Sequence, residues 1–115
     1  HLSEIKHIYM KTIITSTGDK LTSKFDLRFG RAAWFCVYDH DENTTNFIPN
    51  SFKDTNGGAG TKTSEMVAEL RADQVISGDF GPKAKTLLEK FKIRMIILDE
   101  TKLSVQDIID KISKR

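Results

Sequence analysis

The chain has 115 residues, which is enough for one domain with a single core and short for a two-domain enzyme. Apolar residues make up 38% and charged residues 30%, and the net charge of +2 is too small to indicate a dedicated nucleic-acid binder. A single cysteine, Cys36, excludes an internal disulfide and a cysteine-rich metal site.

The sequence carries no sign of membrane insertion or export. No apolar run approaches the ~20 residues that a membrane helix needs. Residues 1–9 contain charges and lack a long apolar stretch, so they do not have the pattern of a signal peptide. We expect a cytoplasmic protein that has neither membrane nor nucleic acid as a partner. Residues 1–9 are interpreted as an N-terminal extension, in part vector-derived, since Met10 is a natural start; residues 10–115 form the domain.

Three strands are predicted in the first half of the chain. Lys11–Ser16 is short and β-branched and is followed by turn residues. Residues 33–39 are rich in aromatic and β-branched side chains, and Thr44–Pro49 is the expected hairpin partner. The segment 21–31 is irregular, with apolar residues at alternate positions.

The second half changes to a helical period. Residues 61–71 and 82–92 place apolar side chains at the spacing of core-facing helices. Gln74–Ser77 is a short strand between them. Residues 93–98 form an apolar run typical of a strand buried on both faces.

The last helix has the strongest start signal. Ser104 is a favourable N-cap, Asp107 is the matching acid of a capping box, and Leu103 is placed to pack on Ile108. The element order is therefore β-β-β-α-β-α-β-α. It predicts an α/β fold of one domain, with a mixed sheet that starts antiparallel, continues with parallel strands and has helices packed on it.

The glycine-rich stretch NGGAGTKT, residues 56–63, invites comparison with a phosphate-binding loop. In such a loop the lysine directly follows the last glycine, whereas here Thr61 separates Gly60 from Lys62, and no buried strand precedes the stretch. We therefore do not predict an NTPase. Glycines just before a helix leave backbone N–H groups open to an anion, or they simply close tight turns.

Three segments in succession resemble a known family. They are FGRA at 29–32, GGAG at 57–60 and VISGDFGPKA at 75–84. Their order and spacing are similar to the dinitrogenase iron–molybdenum cofactor biosynthesis family, over about residues 10–112. The resemblance implies a ribonuclease-H-like fold, no catalysis and an accessory role in nitrogen fixation. It also implies that the protein binds or carries the iron–molybdenum cofactor, its precursor or a related molybdenum or iron–sulfur cluster, with cluster donor and acceptor proteins as partners.

Carried onto this sequence, the resemblance implies a cofactor-binding site made by three loops. The expected site residues are Arg28, Phe29, Gly30, Arg31, Asn56, Gly57, Gly58, Ala59, Gly60, Gly78, Asp79 and Gly81. The two arginines would donate charge-assisted hydrogen bonds to the sulfides of a cluster that is bound non-covalently. No catalytic residue and no metal ligand is predicted, and His1, His7 and His40 are interpreted as surface residues.

Two other functions remain open from the residues alone. The acids at predicted strand ends, Asp39, Asp79 and Asp99, would serve a metal-dependent nuclease if they converged. Alternatively, the domain is a protein-interaction or regulatory module without a metal ligand. In that case the lysines at 83, 85, 90 and 92 are simply the solvated face of a helix.

Overall fold

The computed structural model describes residues 10–113, and within them five strands form one mixed sheet with three helices packed on it. The elements in chain order are β1 (Lys11–Ser16), β2 (Trp34–Asp39), β3 (Thr44–Pro49), α1 (Ala59–Glu69), β4 (Gln74–Ser77), α2 (Pro82–Lys90), β5 (Arg94–Ile97) and α3 (Val105–Ser113). The predicted element order and α/β class are confirmed. The predictions for His1, His7 and the extension 1–9 lie outside the described residues.

The sheet has the strand order β3-β2-β1-β4-β5. β1 pairs antiparallel with β2 and β2 antiparallel with β3, whereas β1–β4 and β4–β5 are parallel. This is the antiparallel start and parallel continuation expected from the sequence, and it is compatible with the ribonuclease-H-like label. The chain crosses the sheet twice through α1 and α2, as parallel neighbours require.

Alternate residues of the central strands feed two separate cores. Ile13 of β1 and Val75 of β4 lie in one hydrophobic cluster with side chains of α1 and α2, among them Val67 and Leu88. Their neighbours along the same strands lie in the other cluster, with α3. The sheet is thus covered by α1 and α2 on one face and by α3 on the other, following the two-residue period of a strand.

The only cysteine of the chain, Cys36, is part of the second cluster. Cys36 lies in β2 with no exposed surface, among the side chains that pack against α3. Burial raises the pKa of its thiol to about 12. A thiol in this setting stays protonated and out of reach of reagents, so Cys36 is an inert part of the core.

The burial predicted for the last strand is wrong. Residues 93–98 were expected to form a strand buried on both faces, but β5 is at the edge of the sheet and Ile97 is 57% exposed. An apolar run predicts a strand without stating whether a further strand will pair with its other side. The strand itself is also shorter than predicted, at Arg94–Ile97.

Helix ends differ from the predictions by about two residues. α1 begins at Ala59 rather than at 61, directly after Gly57 and Gly58, whose φ angles of +78° and +75° let the chain turn sharply into the helix. α2 ends at Lys90 rather than 92, since Lys92 has a φ of +62° that a helix cannot continue. The last helix begins as predicted: Asp107 accepts from the Ser104 backbone N–H at 2.9 Å, and Ser104 Oγ accepts from the Asp107 N–H at 3.0 Å.

Membrane insertion through a helix can be assessed for residues 10–113. Within that range, no helix combines the length and the apolar character needed to cross a bilayer.

Candidate functional site

A cleft of about 390 Å³ opens beside the carboxyl end of β4, where three loops meet. This volume is within the range of small-ligand sites. Nine of the twelve expected site residues line it: Arg28, Phe29, Gly30, Arg31, Gly58, Ala59, Gly60, Asp79 and Gly81. The loops are far apart in sequence and are brought together by the crossovers of the fold, at the place where open α/β sheets usually bind ligands.

The loop 28–31 is fixed against the loop 78–81 by backbone and aromatic contacts. Arg28 and Asp79 form an isolated parallel bridge, and the Gly78 N–H donates to the Leu27 carbonyl at 3.1 Å. Beneath them, the buried rings of Phe29 and Phe80 contact each other in a tilted arrangement, with centroids 5.0 Å apart. Phe29 therefore joins the two loops that form this wall of the cleft.

The same loop also packs closely against the start of α1. A Cβ at Gly30 would lie 2.8 Å from the Gly60 nitrogen, a distance that side chains do not tolerate. The buried Asn50 amide donates to the carbonyls of Gly30 and Ala32 at 2.9 and 2.8 Å. Glycine at 30 thus allows two backbones to form one wall of the cleft, and Asn50 holds the approaching loop in position.

Both arginines of the cleft have protein partners. Arg28 donates from Nε and Nη2 to the two carboxylate oxygens of Asp26, at 3.1 and 3.0 Å. These hydrogen bonds, followed by the charge of Asp26, raise the pKa of Arg28. Arg31 donates from Nη1 to the carbonyls of Lys53 and Thr55, at 2.7 and 3.0 Å. These bonds hold the loop that precedes Gly57 against the loop 28–31. The arginines are therefore oriented in advance, and each keeps further N–H groups beyond these bonds.

Two helices begin at the cleft, and neither is capped by a side chain. The N-cap residues are Gly58 for α1 and Gly81 for α2, and neither helix has an acidic residue in its first turn. The first N–H groups of a helix have no partner inside it and carry partial positive charge. Pro82 at the start of α2 has no N–H, so the donors of that helix come from the residues after it. The two helix starts beside one cleft still provide several hydrogen-bond donors for an anion.

Formal charges in and beside the cleft nearly cancel. Arg28 and Arg31 contribute two positive charges to the cleft. Asp79, which lines it, contributes one negative charge, and the carboxylate of Asp26, only 5% exposed, forms an ion pair with Arg28. Net charge therefore gives the cleft little attraction for an anion, and the directed N–H groups are the donors that it offers.

Three expected site residues do not line the cleft. Gly78 lies against Leu27, and its N–H donates to the Leu27 carbonyl. Asn56 and Gly57 are exposed in the turn that precedes Gly58. Two supporting residues, Asp26 and Asn50, were not predicted from the sequence. The only local signal was the spacing of Asp26 two residues before Arg28; nothing near Asn50 pointed to the loop that it contacts.

The three acids of the nuclease hypothesis do not converge. Asp39 pairs with Lys11 at the start of β1, whereas Asp79 and Asp99 follow the ends of β4 and β5, which run parallel to β1. Asp39 is thus at the opposite end of the sheet, separated by the length of a six-residue strand, about 16 Å. Between residues 10 and 113, no three His, Cys, Asp or Glu side chains form a group able to hold a metal ion.

His40 lies at that far end as well. It is half-buried in the β2–β3 hairpin, its Nε2 is 2.7 Å from Thr12 Oγ1, and its ring stacks edge-on with Tyr38 at 4.5 Å. It is therefore better described as a packed hairpin residue than as the surface residue expected, and it is remote from the cleft.

Comparisons with known proteins agree with this architecture. A family model described as dinitrogenase iron-molybdenum cofactor matches residues 10–115. The apo form of the orange protein from Desulfovibrio gigas has 28% identity and a TM-score of 0.83, covering 92% of this chain and 88% of its own. A NifB-like protein from Thermotoga, of the DUF35 family, has 25% identity and a TM-score of 0.77, with 90% and 87% covered. Among curated proteins, no sequence matches this chain.

Proposed function

The chain belongs to the dinitrogenase iron-molybdenum cofactor family, and we propose that its cleft binds and carries an anionic metal–sulfur cluster as cargo, without catalysis. The cargo is the iron–molybdenum cofactor, its precursor or a related molybdenum or iron–sulfur cluster. It is received from a donor protein and passed to an acceptor protein.

The observation that carries this proposal is the meeting of two uncapped helix starts in one cleft. α1 and α2 begin at Gly58 and Gly81 without a side-chain cap, beside Arg28 and Arg31. Helices that serve only structure usually satisfy their first N–H groups with Ser, Thr, Asp or Asn, as α3 does with Ser104. Leaving both ends open at the same cleft favours a ligand that accepts many hydrogen bonds.

The chemistry of the donors also limits the kind of cluster. Among the described residues, those that line the cleft offer N–H groups and the carboxylate of Asp79 but no thiolate or imidazole, and Cys36 is buried in the core that packs against α3. A cluster with open metal positions needs such ligands from the protein. The cargo must therefore bring a complete ligand shell whose outer sulfides accept hydrogen bonds from the cleft.

The relatives support a binding role. The orange protein of Desulfovibrio gigas is known in an apo form, a description that implies a bound group in its other form, and the family is described by a metal cofactor. Twenty-eight percent identity over 92% of this chain makes a shared binding role a reasonable basis for the proposal.

Gly81 offers a test that separates binding from folding. Its φ and ψ of −67° and 165° suit a capping side chain, and a Cβ there would meet no atom within 4 Å. Gly81→Asp should cap α2 and raise the free energy of unfolding by a few tenths of a kcal/mol. The same carboxylate would place a negative charge in the cleft, and we expect it to weaken tetrathiomolybdate binding at least about tenfold.

The matched control is Gly81→Asn, which caps without adding charge and should lose far less affinity. Binding is measured by anaerobic titration, following the absorbance of the retained chromophore and the shift in Tm. If the wild-type protein neither retains tetrathiomolybdate nor gains stability from it or from an isolated iron–molybdenum cofactor, the carrier function is wrong. The interaction module without a metal ligand would then be the better description.

A further inference from the structure

A groove between α1 and α2 leads away from the cleft along the outer surface of the two helices. It consists of two adjoining cavities of about 370 and 330 Å³, which share Thr61, Pro82 and Lys83. The second cavity also contains Gly58, Gly60 and Gly81, all of which line the cleft. Groove and cleft are therefore one continuous surface.

The floor of the groove is apolar. Pro82 and Leu87 provide aliphatic surface in the first cavity, whereas Ala84, which lines the second, is only 2% exposed. Thr61 and Thr86 also line the groove. Such a surface gains free energy by covering an apolar side chain, at about 25 cal/mol for each Å² removed from water.

The charge of the groove is positive. Lys83 lines both cavities, and the start of α2 adds the partial positive charge of its open N–H groups. Within the described part of the chain, no carboxylate lines either cavity of the groove. An apolar floor with a positive rim is complementary to an acidic segment that carries an apolar residue.

We propose that this groove docks an extended acidic segment of the protein that delivers or receives the cargo. One apolar side chain of the segment sits on Pro82 and Leu87, and a neighbouring carboxylate pairs with Lys83. The docked segment would then lie beside the mouth of the cleft, where transfer takes place. The identity of the partner as a donor or acceptor rests on the proposed function; the docking itself does not.

The shape and charge favour a peptide over other anions. The two cavities adjoin along α1 and α2 and are open to solvent, so an extended chain can lie in both of them. Nucleic acid is bound by several basic side chains along the backbone, together with aromatic rings that stack on bases. The groove has one lining lysine and no aromatic side chain among the residues that form it.

The probe is a fluorescein-labelled peptide with one leucine flanked on both sides by aspartate and glutamate, followed by fluorescence anisotropy at low salt. Lys83→Glu and Thr86→Glu each introduce a negative charge at an exposed groove position. We expect each to weaken peptide binding at least about tenfold. The control is Lys85→Glu, which makes the same charge change at an exposed position that lines no part of the groove and lies about 200° around α2 from Lys83. It should change the affinity less than about twofold.

Four results would overturn the docking proposal: no peptide binding, equal binding after leucine is replaced by serine, an equal loss in Lys85→Glu, or tighter binding of a single-stranded oligonucleotide. Titrating the wild-type protein with tetrathiomolybdate, beside the peptide assay, separates the two proposals. Anion binding without peptide docking would contradict the docking surface alone. Peptide docking without anion binding would leave the docking surface and contradict the carrier function.

Discussion

Arg28 shows how a site residue can be held by the protein before any ligand arrives. Its guanidinium is fixed by two hydrogen bonds to Asp26, which is almost fully buried and also accepts from the Arg28 backbone N–H at 3.0 Å. A single carboxylate thus orients both the side chain and the loop that carries it. The geometry reduces the rotamer entropy that Arg28 would lose on binding.

Removing this side chain should affect stability as well as binding. In Arg28→Ala, Asp26 keeps one backbone donor and loses two charge-assisted ones, so we expect the free energy of unfolding to fall by about 1 kcal/mol, a value reduced for the 64% exposure of Arg28. Urea denaturation measures the change. Asp26→Asn should show a similar loss and the double variant little more, because both remove one interaction. Fully additive losses would contradict this coupling.

Single residues were only partly predictable. The expected site residues were identified from the resemblance of three segments to a known family. Nine of these twelve residues line the cleft in the structure. Asn50 was missed because its role depends on the carbonyls of Gly30 and Ala32, which lie about twenty residues away. Sequence spacing carries no information about a contact of that kind.

The elements around the cleft depend on a close approach between a loop and a helix. In Gly30→Ala the new methyl would collide with the backbone at Gly60, and one of the two segments would have to shift. We expect a loss of about 2 kcal/mol in the free energy of unfolding.

Gly60→Ala is the control for that substitution. Its Cβ would meet only the Ala84 Cβ at 3.5 Å, an ordinary contact, and alanine favours the helix, so stability should stay equal or rise. Chemical denaturation of both variants decides the matter. A tolerated Gly30→Ala would mean that the cleft wall is looser than the structure indicates.

The last helix should respond to acid through its capping box. Hydrogen bonds from the Ser104 backbone and side chain lower the pKa of Asp107 from its ordinary value of 3.8. A lowered folded pKa stabilises the protein above the unfolded value, and the contribution is lost as pH falls through the folded pKa. The stability difference between wild type and Asp107→Asn should therefore be constant above pH 3.8 and shrink below it.

That difference can be followed by thermal unfolding between about pH 6 and about pH 2. A difference independent of pH across this range would show that Asp107 does not act through its charge. Lys111, which also lowers the pKa of Asp107, is expected to contribute less than Ser104 does.

At the scale of the whole molecule, the sheet order sets which parts are most stable. β1 is the central strand, paired on both sides, and five of its six residues are buried. We expect its amides to exchange with solvent most slowly, followed by those of β4, with β3 and β5 faster as edge strands. Hydrogen exchange followed by mass spectrometry or NMR tests this order, and faster exchange in β1 than in β5 would contradict it.

The strand directions also determine which side chains and loops lie at each end of the sheet. Because β2 runs antiparallel to β1, Asp39 is carried to the end of the sheet opposite to Asp79 and Asp99. Because β1, β4 and β5 are parallel, the loops after them share one end, where the cleft lies. The arrangement disfavours shared metal chemistry among the three acids and favours a ligand held by loops.

The sequence by itself determined the type and order of the elements, since hydrophobic period, turn residues and capping signals are local properties. β1, β3 and β4 have the bounds predicted, and α3 begins with the predicted capping box. Only the tertiary structure decided that β5 is an edge strand, that Arg28 is committed to Asp26, and that two uncapped helix starts meet beside one cleft. These are properties of pairing and packing between distant segments, and no local pattern of residues encodes them.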